Sequence, residues 1–182
     1  MMKPFTEEIR YEYPLNPSSL VFDAGGFEGR FANEIHRRYG CRVWCFEPVF
    51  HEAIKDKLHP SIELFPFAIG GRNGTVIIGV KGDSTGMWAE SDKEVEVEIV
   101  DVNEVVDEPV DLMKLNCEGA EYEILEALLD SGKVTMVRNI QVQFHRVVSN
   151  FQERWEAIRT RLLETHELTY DAPFCWENYR LK

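Results

Sequence analysis

Three glycines within five residues, placed directly behind an apolar run that ends in an acid, constrain this chain more than any other feature. The stretch reads Val21-Phe22-Asp23-Ala24-Gly25-Gly26-Phe27-Glu28-Gly29, and a helical pattern follows at once. Glycines let a backbone turn tightly and approach a ligand without interference from a Cβ. The helix behind such a turn points unpaired N–H groups and the positive end of its dipole toward it. The bland reading is a bare strand-to-helix turn; the sharper one is a nucleotide-type site. Asp23 then chooses among ligands. A carboxylate would repel the pyrophosphate that a dinucleotide turn holds, whereas it suits a ligand with an ammonium group and no phosphates, such as S-adenosylmethionine.

Periodicity extends this unit into an α/β chain. Leu20 to Asp23 reads as a strand, and Phe31, Ile35 and Tyr39 recur at helical spacing up to Gly40. Cys41 to Phe46 is a second β-rich run, Ala53, Ile54 and Leu58 mark a second helix, and Ile62 to Phe67 a third strand. The order β-α-β-α-β predicts a parallel sheet with right-handed crossovers. Residues 72–108 break the rhythm. Thr75–Val80 and the acid/apolar alternation of Glu94–Ile99 predict an antiparallel, hairpin-like insertion that extends the sheet or covers the site. Strand and helix patterns resume at Val110–Asn116, with Ile124, Leu125, Leu128 and Leu129 on one helical face, then a strand over Asn139–His145. Asn150 with Glu153 resembles a capping box ahead of a last helix bearing Phe151, Trp155, Ile158 and Leu162. Glu167–Tyr170 and Cys175–Leu181 predict a closing hairpin, which sets the sheet apart from a plain dinucleotide fold.

The 182 residues suit a single domain, 1–182, with residues 1–18 as a short lead-in. The N-terminus lacks the apolar core of a signal peptide and no run approaches the length of a membrane span, so a cytoplasmic location is expected. A formal charge of −12 argues against nucleic-acid or anionic-membrane partners. The acids from Glu90 to Glu108 read as a solvated edge-strand face rather than a cation site. Cys41, Cys45, Cys117 and Cys175 contain no Cys-x-x-Cys pair, so buried reduced thiols are expected and no metal site.

Three constellations carry candidate chemistry. Glu47, at the end of the second strand, is placed to accept hydrogen bonds from the 2′- and 3′-hydroxyls of a ribose; the alternative is an acid in a surface loop before Pro48. Lys114-Leu115-Asn116-Cys117-Glu118-Gly119-Ala120-Glu121 crosses a strand end and a helix start, where open α/β sheets bind ligands. There Asn116 and Glu118 read as site residues, Lys114 as sharing the side of Asn116, and Glu121 as an acid favouring the helix N-terminus. His145 follows a strand end and is the candidate general base, against the commoner structural role of a lone histidine. His36, His51, His59 and His166 read as surface residues.

VFDAGGFEG, WCFEP, FAIGGRNG, DLMKLNCEGAEYEIL and IQVQFH, in that order, resemble the FkbM-type S-adenosylmethionine-dependent methyltransferases. The resemblance implies the class I, Rossmann-like architecture: a mostly parallel seven-stranded sheet with helices on both faces, here with a strand-rich insertion after the third strand and a C-terminal antiparallel hairpin. It implies O-methylation of a hydroxyl on a sugar or small metabolite. By the same resemblance Asp23, Gly25, Gly26 and Gly29 hold the methionine part, Glu47 the ribose, and Phe67-Ala68-Ile69 lines the adenine beside Asn116. The acceptor then enters over Asn116, Glu118 and His145, under the Ser84–Trp88 loop, with Lys114 and Glu118 orienting it. Three positions depart from the family pattern, which usually has Asn at Phe27, Asp at Asn116 and Glu at Gln143. The short segment ahead of Leu20 leaves little chain for an N-terminal cover. Two rivals remain: a cofactor-binding or assembly protein with a decayed site, and a nicotinamide oxidoreductase, against which Asp23 and the closing hairpin both argue. The insertion's strand edge is where a second copy would pair into a homodimer.

Overall fold

The computed structural model describes residues 4–80, Gly86 and 93–182. Its main sheet grows from β1 (Leu20–Ala24), β2 (Arg42–Phe46) and β3 (Ile62–Phe65), and resumes with β7 (Leu112–Leu115), β8 (Asn139–Val142), β9 (His166–Ala172) and β10 (Trp176–Leu181). The seven strands lie in the order β3-β2-β1-β7-β8-β10-β9. All neighbours pair parallel except β10, which runs antiparallel to both β8 and β9. The closing hairpin is therefore wedged into the sheet edge, with its second strand inside its first.

The pleat of β1 sorts the core into two layers, because successive side chains leave opposite faces of a strand. Leu20, Phe22 and Ala24 join a cluster with Tyr122, Ile124, Leu125 and Leu128 of α4 (Glu121–Ser131) and Ile158 and Leu162 of α5 (Phe151–Thr165). Val21 joins a cluster with Phe31, Ala32 and Ile35 of α1 (Arg30–Tyr39) and Ile54 of the short α2 (His51–Ile54). Leu112 on β7 falls on the α1 side as well. The same phase puts Asp23 on the α1 side with Val21, and Lys114 there with Leu112.

The expected third strand divides at Pro66, which has no N–H to give to a ladder. β3 ends at Phe65, and β4 (Ala68–Gly70) enters a second sheet with β5 (Gly74–Gly79) and β6 (Glu94–Asp101), in the order β4-β6-β5. β5 and β6 are antiparallel, as the alternation predicted, and β4 is parallel to β6. The insertion thus forms its own sheet rather than extending the first. Glu94, Glu96 and Glu98 are exposed while Val97 is buried, so the acids line a solvated face. That strand is the middle one of its sheet, not an edge. α3 (Val102–Val105) returns the chain to β7, its Asp101 cap accepting from Asn103 N at 2.8 Å.

Three local expectations are corrected. Asn150 precedes α5 in a left-handed conformation (φ 52°) and makes no capping bond through its side chain, because a left-handed backbone turns the side chain away from the first helical N–H groups. His166 is fully buried, with Nε2 3.0 Å from the carbonyl of Val137, and burial lowers its pKa. Of the cysteines, only Cys41 and Cys45 are buried; Cys175 is exposed. Among the described residues no helix is long and apolar enough to cross a membrane.

The lead-in is part of the packing. A 3₁₀ turn over Glu7–Tyr11, capped by Thr6, sets the Arg10 guanidinium 3.7 Å from the centre of the Trp176 ring. Gln141 Nε2 donates to the Tyr13 hydroxyl (2.7 Å) and to the Arg10 carbonyl (2.8 Å), and the Tyr13 hydroxyl reaches Asn178 Oδ1 and the Tyr170 hydroxyl, each at 3.1 Å. Burial pushes the Tyr13 pKa up to about 12. Tyr13→Phe strips one hydroxyl from this buried network and is expected to lower unfolding free energy by about 1–3 kcal/mol. Urea denaturation checks it, and an unchanged midpoint would mean that the network contributes nothing.

Candidate active site

A cavity of about 330 Å³ opens at the carboxyl ends of β1, β2 and β7, the place where α/β sheets receive ligands. Its walls include Gly25 and Phe27 of the glycine turn, Glu47 to Phe50 after β2, Ala68 and Ile69 on β4, and Asn116 to Glu118 after β7. The second sheet closes it with Thr75, Val76, Ile78, Val97 and Ile99, so the insertion covers the site. Gly86 also lines it, and a Cβ there would meet Glu118 Cβ at 2.8 Å. The remaining residues of the expected Ser84–Trp88 cover lie outside those described.

Six of the expected site residues meet at this cavity: Gly25, Glu47, Ala68, Ile69, Asn116 and Glu118. Asp23, Gly26, Gly29, Phe67, Lys114 and His145 do not line it. Phe67 turns instead to Phe46 and Phe65, with ring centres 5.8 and 5.5 Å away. Gly25 has φ +79°, and a Cβ there would sit 2.0 Å from the backbone oxygen of Asn116, so the glycine turn and the β7 loop approach as closely as backbones can. A Cβ on Gly26 would meet Cys45 Sγ at 2.3 Å, which makes this glycine a packing requirement.

Glu47 is nearly buried and already busy. Its Oε2 accepts Phe27 N at 2.7 Å, and its Oε1 accepts Val49 N and Phe50 N, both at 2.9 Å. A carboxylate offers about four lone-pair positions, so one remains for a ribose hydroxyl, where two were expected. Phe27 sits at φ 47°, a left-handed position that suits the Asn of the family pattern better. Its ring meets Phe50 edge-on at 5.3 Å along the cavity wall.

Lys114 has a different position from the one expected. Cross-strand pairing sets it directly opposite Asp23, on the α1 side of the sheet. Its Nζ lies 2.8 Å from Asp23 Oδ1, donates to the Gly25 carbonyl at 2.8 Å, and lies 5.7 Å from the centre of the Phe31 ring. Both side chains are buried. The Asp23 charge is therefore met from within the protein rather than held open for a ligand ammonium. Asp23 Oδ2 and Asn116 Oδ1 are buried and accept no hydrogen bond among the described residues.

His145 stands between two acids. Its Nδ1 lies 2.8 Å from Glu121 Oε1, and its Nε2 lies 3.1 Å from Glu118 Oε1. Burial alone would lower its pKa, but the hydrogen bonds and charges of Glu118 and Glu121 outweigh burial and raise it to about 10. Held as an imidazolium between two carboxylates, His145 is poorly placed to take a proton, which counts against the general-base expectation. Glu121 does more than favour a helix terminus: fully buried, it also accepts Cys117 N at 2.7 Å and Gly119 N at 2.8 Å. The spacing of Glu118, Glu121 and His145 gave no sign of this chain, because 24 residues separate Glu121 from His145. Glu118, which lines the cavity, is its outer end.

The family model for the methyltransferase FkbM domain matches residues 21–172. No curated protein matches the sequence significantly. Among solved structures, the methyltransferase FkbM from Methylobacillus flagellatus KT superposes with a TM-score of 0.58 at 13% identity, over 98% of this chain and 48% of that one. This chain thus spans about half the length of that protein. The 23S rRNA methyltransferase ErmE gives 0.53 at 14% identity over 98% of this chain and 69% of its own. A candidate rRNA methylase from Clostridium thermocellum gives 0.53 at 12% over 96% and 94%. Identities this low show a shared fold.

Lys114→Met would leave Asp23 charged and buried without its cation, at an expected cost of about 3–5 kcal/mol. Lys114→Met combined with Asp23→Asn should cost less than the single change, and a double variant no better than the single one would mean that the pair is not coupled. His145 gives a separate pH signature. Its folded pKa, about 10, lies above its ordinary 6.5, so its stabilisation is fully present below pH 6.5 and is lost as pH rises toward 10. Melting temperature of the wild type should therefore fall across that window relative to His145→Gln; parallel curves would contradict the Glu118–His145–Glu121 geometry.

Proposed function

The chain belongs to the methyltransferase FkbM domain family, and from that premise we propose that it is an S-adenosylmethionine-dependent O-methyltransferase acting on a hydroxyl of a sugar or small metabolite. The observation that carries this reading is the cavity at the carboxyl ends of β1, β2 and β7, with Glu47 and Asn116 among its walls and Asn116 Oδ1 buried without a partner. These groups fit the cofactor. Glu47 Oε2 has one acceptor position left for a ribose hydroxyl, Asn116 Oδ1 suits a donor such as an ammonium, and Phe27, Phe50 and Ile69 offer apolar surface for a base. When bound, S-adenosylmethionine supplies an electrophilic methyl group on a sulfonium.

The protein's own residues do the rest by placement and exclusion of water. Glu118 takes the proton of the acceptor hydroxyl as its oxygen becomes bonded to carbon. His145 does not itself line the cavity and is a positioning residue, holding Glu118 Oε1 from behind while Glu121 fixes the imidazole. The net charge of −12 favours a small acceptor over nucleic acid, and no membrane partner is proposed. A second reading, a cofactor-binding protein without transfer activity, gains support from the spent His145 and Lys114.

S-adenosylhomocysteine is expected to bind by calorimetry, and Glu47→Gln to weaken it by about 1–3 kcal/mol with melting temperature followed in parallel. Absence of binding would remove the cofactor reading. Transfer of labelled methyl across a panel of sugars and small hydroxylated metabolites then separates the two readings, since binding without any product supports the non-catalytic one. If Glu118 is the proton acceptor, turnover should show no inflection near pH 6.5, where an ordinary imidazole titrates. An inflection there, absent in His145→Gln, would return the base role to His145.

A further inference from the structure

We propose that Arg72 selects an acceptor that carries an anionic group, a carboxylate or phosphate, beside the hydroxyl to be methylated; this rests on the methyl-transfer reading. Arg72 lies in the turn between β4 and β5 and lines the cavity. The chain has 32 acids against 20 Lys and Arg, so its arginines find partners readily. Ten of the twelve hold a carboxylate, and Arg146 lies over the Phe174 ring. Arg72 makes no hydrogen bond, ion pair or ring contact among the described residues. An unpaired guanidinium at a cavity wall, in so acidic a protein, is available to a ligand.

The turn that carries it is pinned on both sides. A Cβ on Gly71 would meet the backbone oxygen of Glu123 at 2.8 Å, so the chain runs tight against α4 just before Arg72. Just after it, Asn73 accepts Asp101 N at 2.7 Å and donates to Glu104 at 2.6 Å. The backbone is held and the side chain is free to reach a ligand, at the cost of ordering its own rotamers on binding. A guanidinium grips a carboxylate or phosphate through two parallel N–H bonds.

Two oxyanions could meet it, that of the acceptor and the methionine carboxylate of the cofactor. The position favours the acceptor. Gly25 and Asn116, which fit the methionine part, and Glu47, which fits the ribose, lie at the ends of main-sheet strands; of the second sheet only Ile69 is assigned to the cofactor, as apolar surface for its base. Arg72 belongs to the second sheet, with Thr75, Val76 and Ile78 as its neighbours along the wall. The other charged walls, Glu47, Glu118 and Glu123, would repel an anion, so a site that admits one needs this cation.

Calorimetry with paired probes tests the assignment: lactate against lactamide, glycerol 3-phosphate against glycerol, and glucose 6-phosphate against glucose. Each is titrated into wild type, Arg72→Met and Arg72→Lys, with and without S-adenosylhomocysteine. At least one charged probe should bind about 10- to 100-fold more tightly than its neutral partner, and whichever pair responds identifies carboxylate or phosphate. The preference should vanish in Arg72→Met and persist in part in Arg72→Lys, with S-adenosylhomocysteine affinity unchanged throughout. Equal binding of charged and neutral probes to the wild type, or a preference that survives Arg72→Met, overturns the proposal. Weakened S-adenosylhomocysteine binding in Arg72→Met also overturns it, by moving the contact to the cofactor. If the wild type binds no S-adenosylhomocysteine, the methyl-transfer reading fails while the probes on unloaded protein still decide Arg72.

Discussion

The ammonium of Lys114, buried beneath the glycine turn, is the interaction on which the site depends. It joins the carboxylate of Asp23 on the neighbouring strand to the carbonyl of Gly25 in the turn itself. A buried ion pair is a costly way to gain stability, because desolvation of both charges offsets much of their attraction. Its effect here is geometric. The turn cannot shift without parting the Gly25 carbonyl from Nζ, and β7 cannot slip in register without parting Lys114 from Asp23. The strand that ends in the glycine turn and the strand that ends in the Asn116 loop are thereby tied at one point, directly under the cavity that lies between their ends.

Above that tie, the two loops are built by the same device. Each strand-end loop wraps its N–H groups around a buried carboxylate: Glu47 gathers those of Phe27, Val49 and Phe50, and Glu121 those of Cys117 and Gly119. Hydrogen bonds to a charged acceptor are about twice as strong as neutral ones, and a carboxylate can collect several from a loop that has no regular ladder. Glu47, which the sequence assigns to a ribose, thus serves the backbone first, as does Glu121. Glu47 lines the cavity with one acceptor position unfilled, and Glu121 reaches it only through His145 and Glu118.

This explains which features were legible. Most of the strands, the antiparallel pairing of β5 with β6, the closing hairpin and the collection of Gly25, Glu47, Asn116 and Glu118 at one end of the main sheet follow from short-range pattern and right-handed crossovers, while Ala68 joins them from the second sheet. The role of Lys114 was open to the same reasoning, since Asp23 and Lys114 share a face once their register is known. Period-two alternation puts Lys114 in phase with Leu112, whereas Asn116 lies beyond the end of β7 and is no longer bound by that phase. His145 could not be read this way. Its protonation is set by Glu118 and Glu121, brought together only when α4 packs beside β8, and no spacing in the sequence encodes that distance.

Backbone strain marks the same two loops. Phe27 and Glu118 both take φ 47°, a conformation that costs a residue with a Cβ about 1–2 kcal/mol. Each is held there by a carboxylate bond close by: Phe27 N goes to Glu47, and the residue after Glu118 gives its N–H to Glu121. Strain that neighbouring bonds enforce turns side chains in directions a relaxed turn would not allow, and both Phe27 and Glu118 face the cavity as a result. The main-sheet walls are therefore rigid and committed. The second sheet meets them from the far side with the apolar face of β6 and the Arg72 turn, so variation in what the cavity accepts can reside there without disturbing the tie beneath the glycine turn.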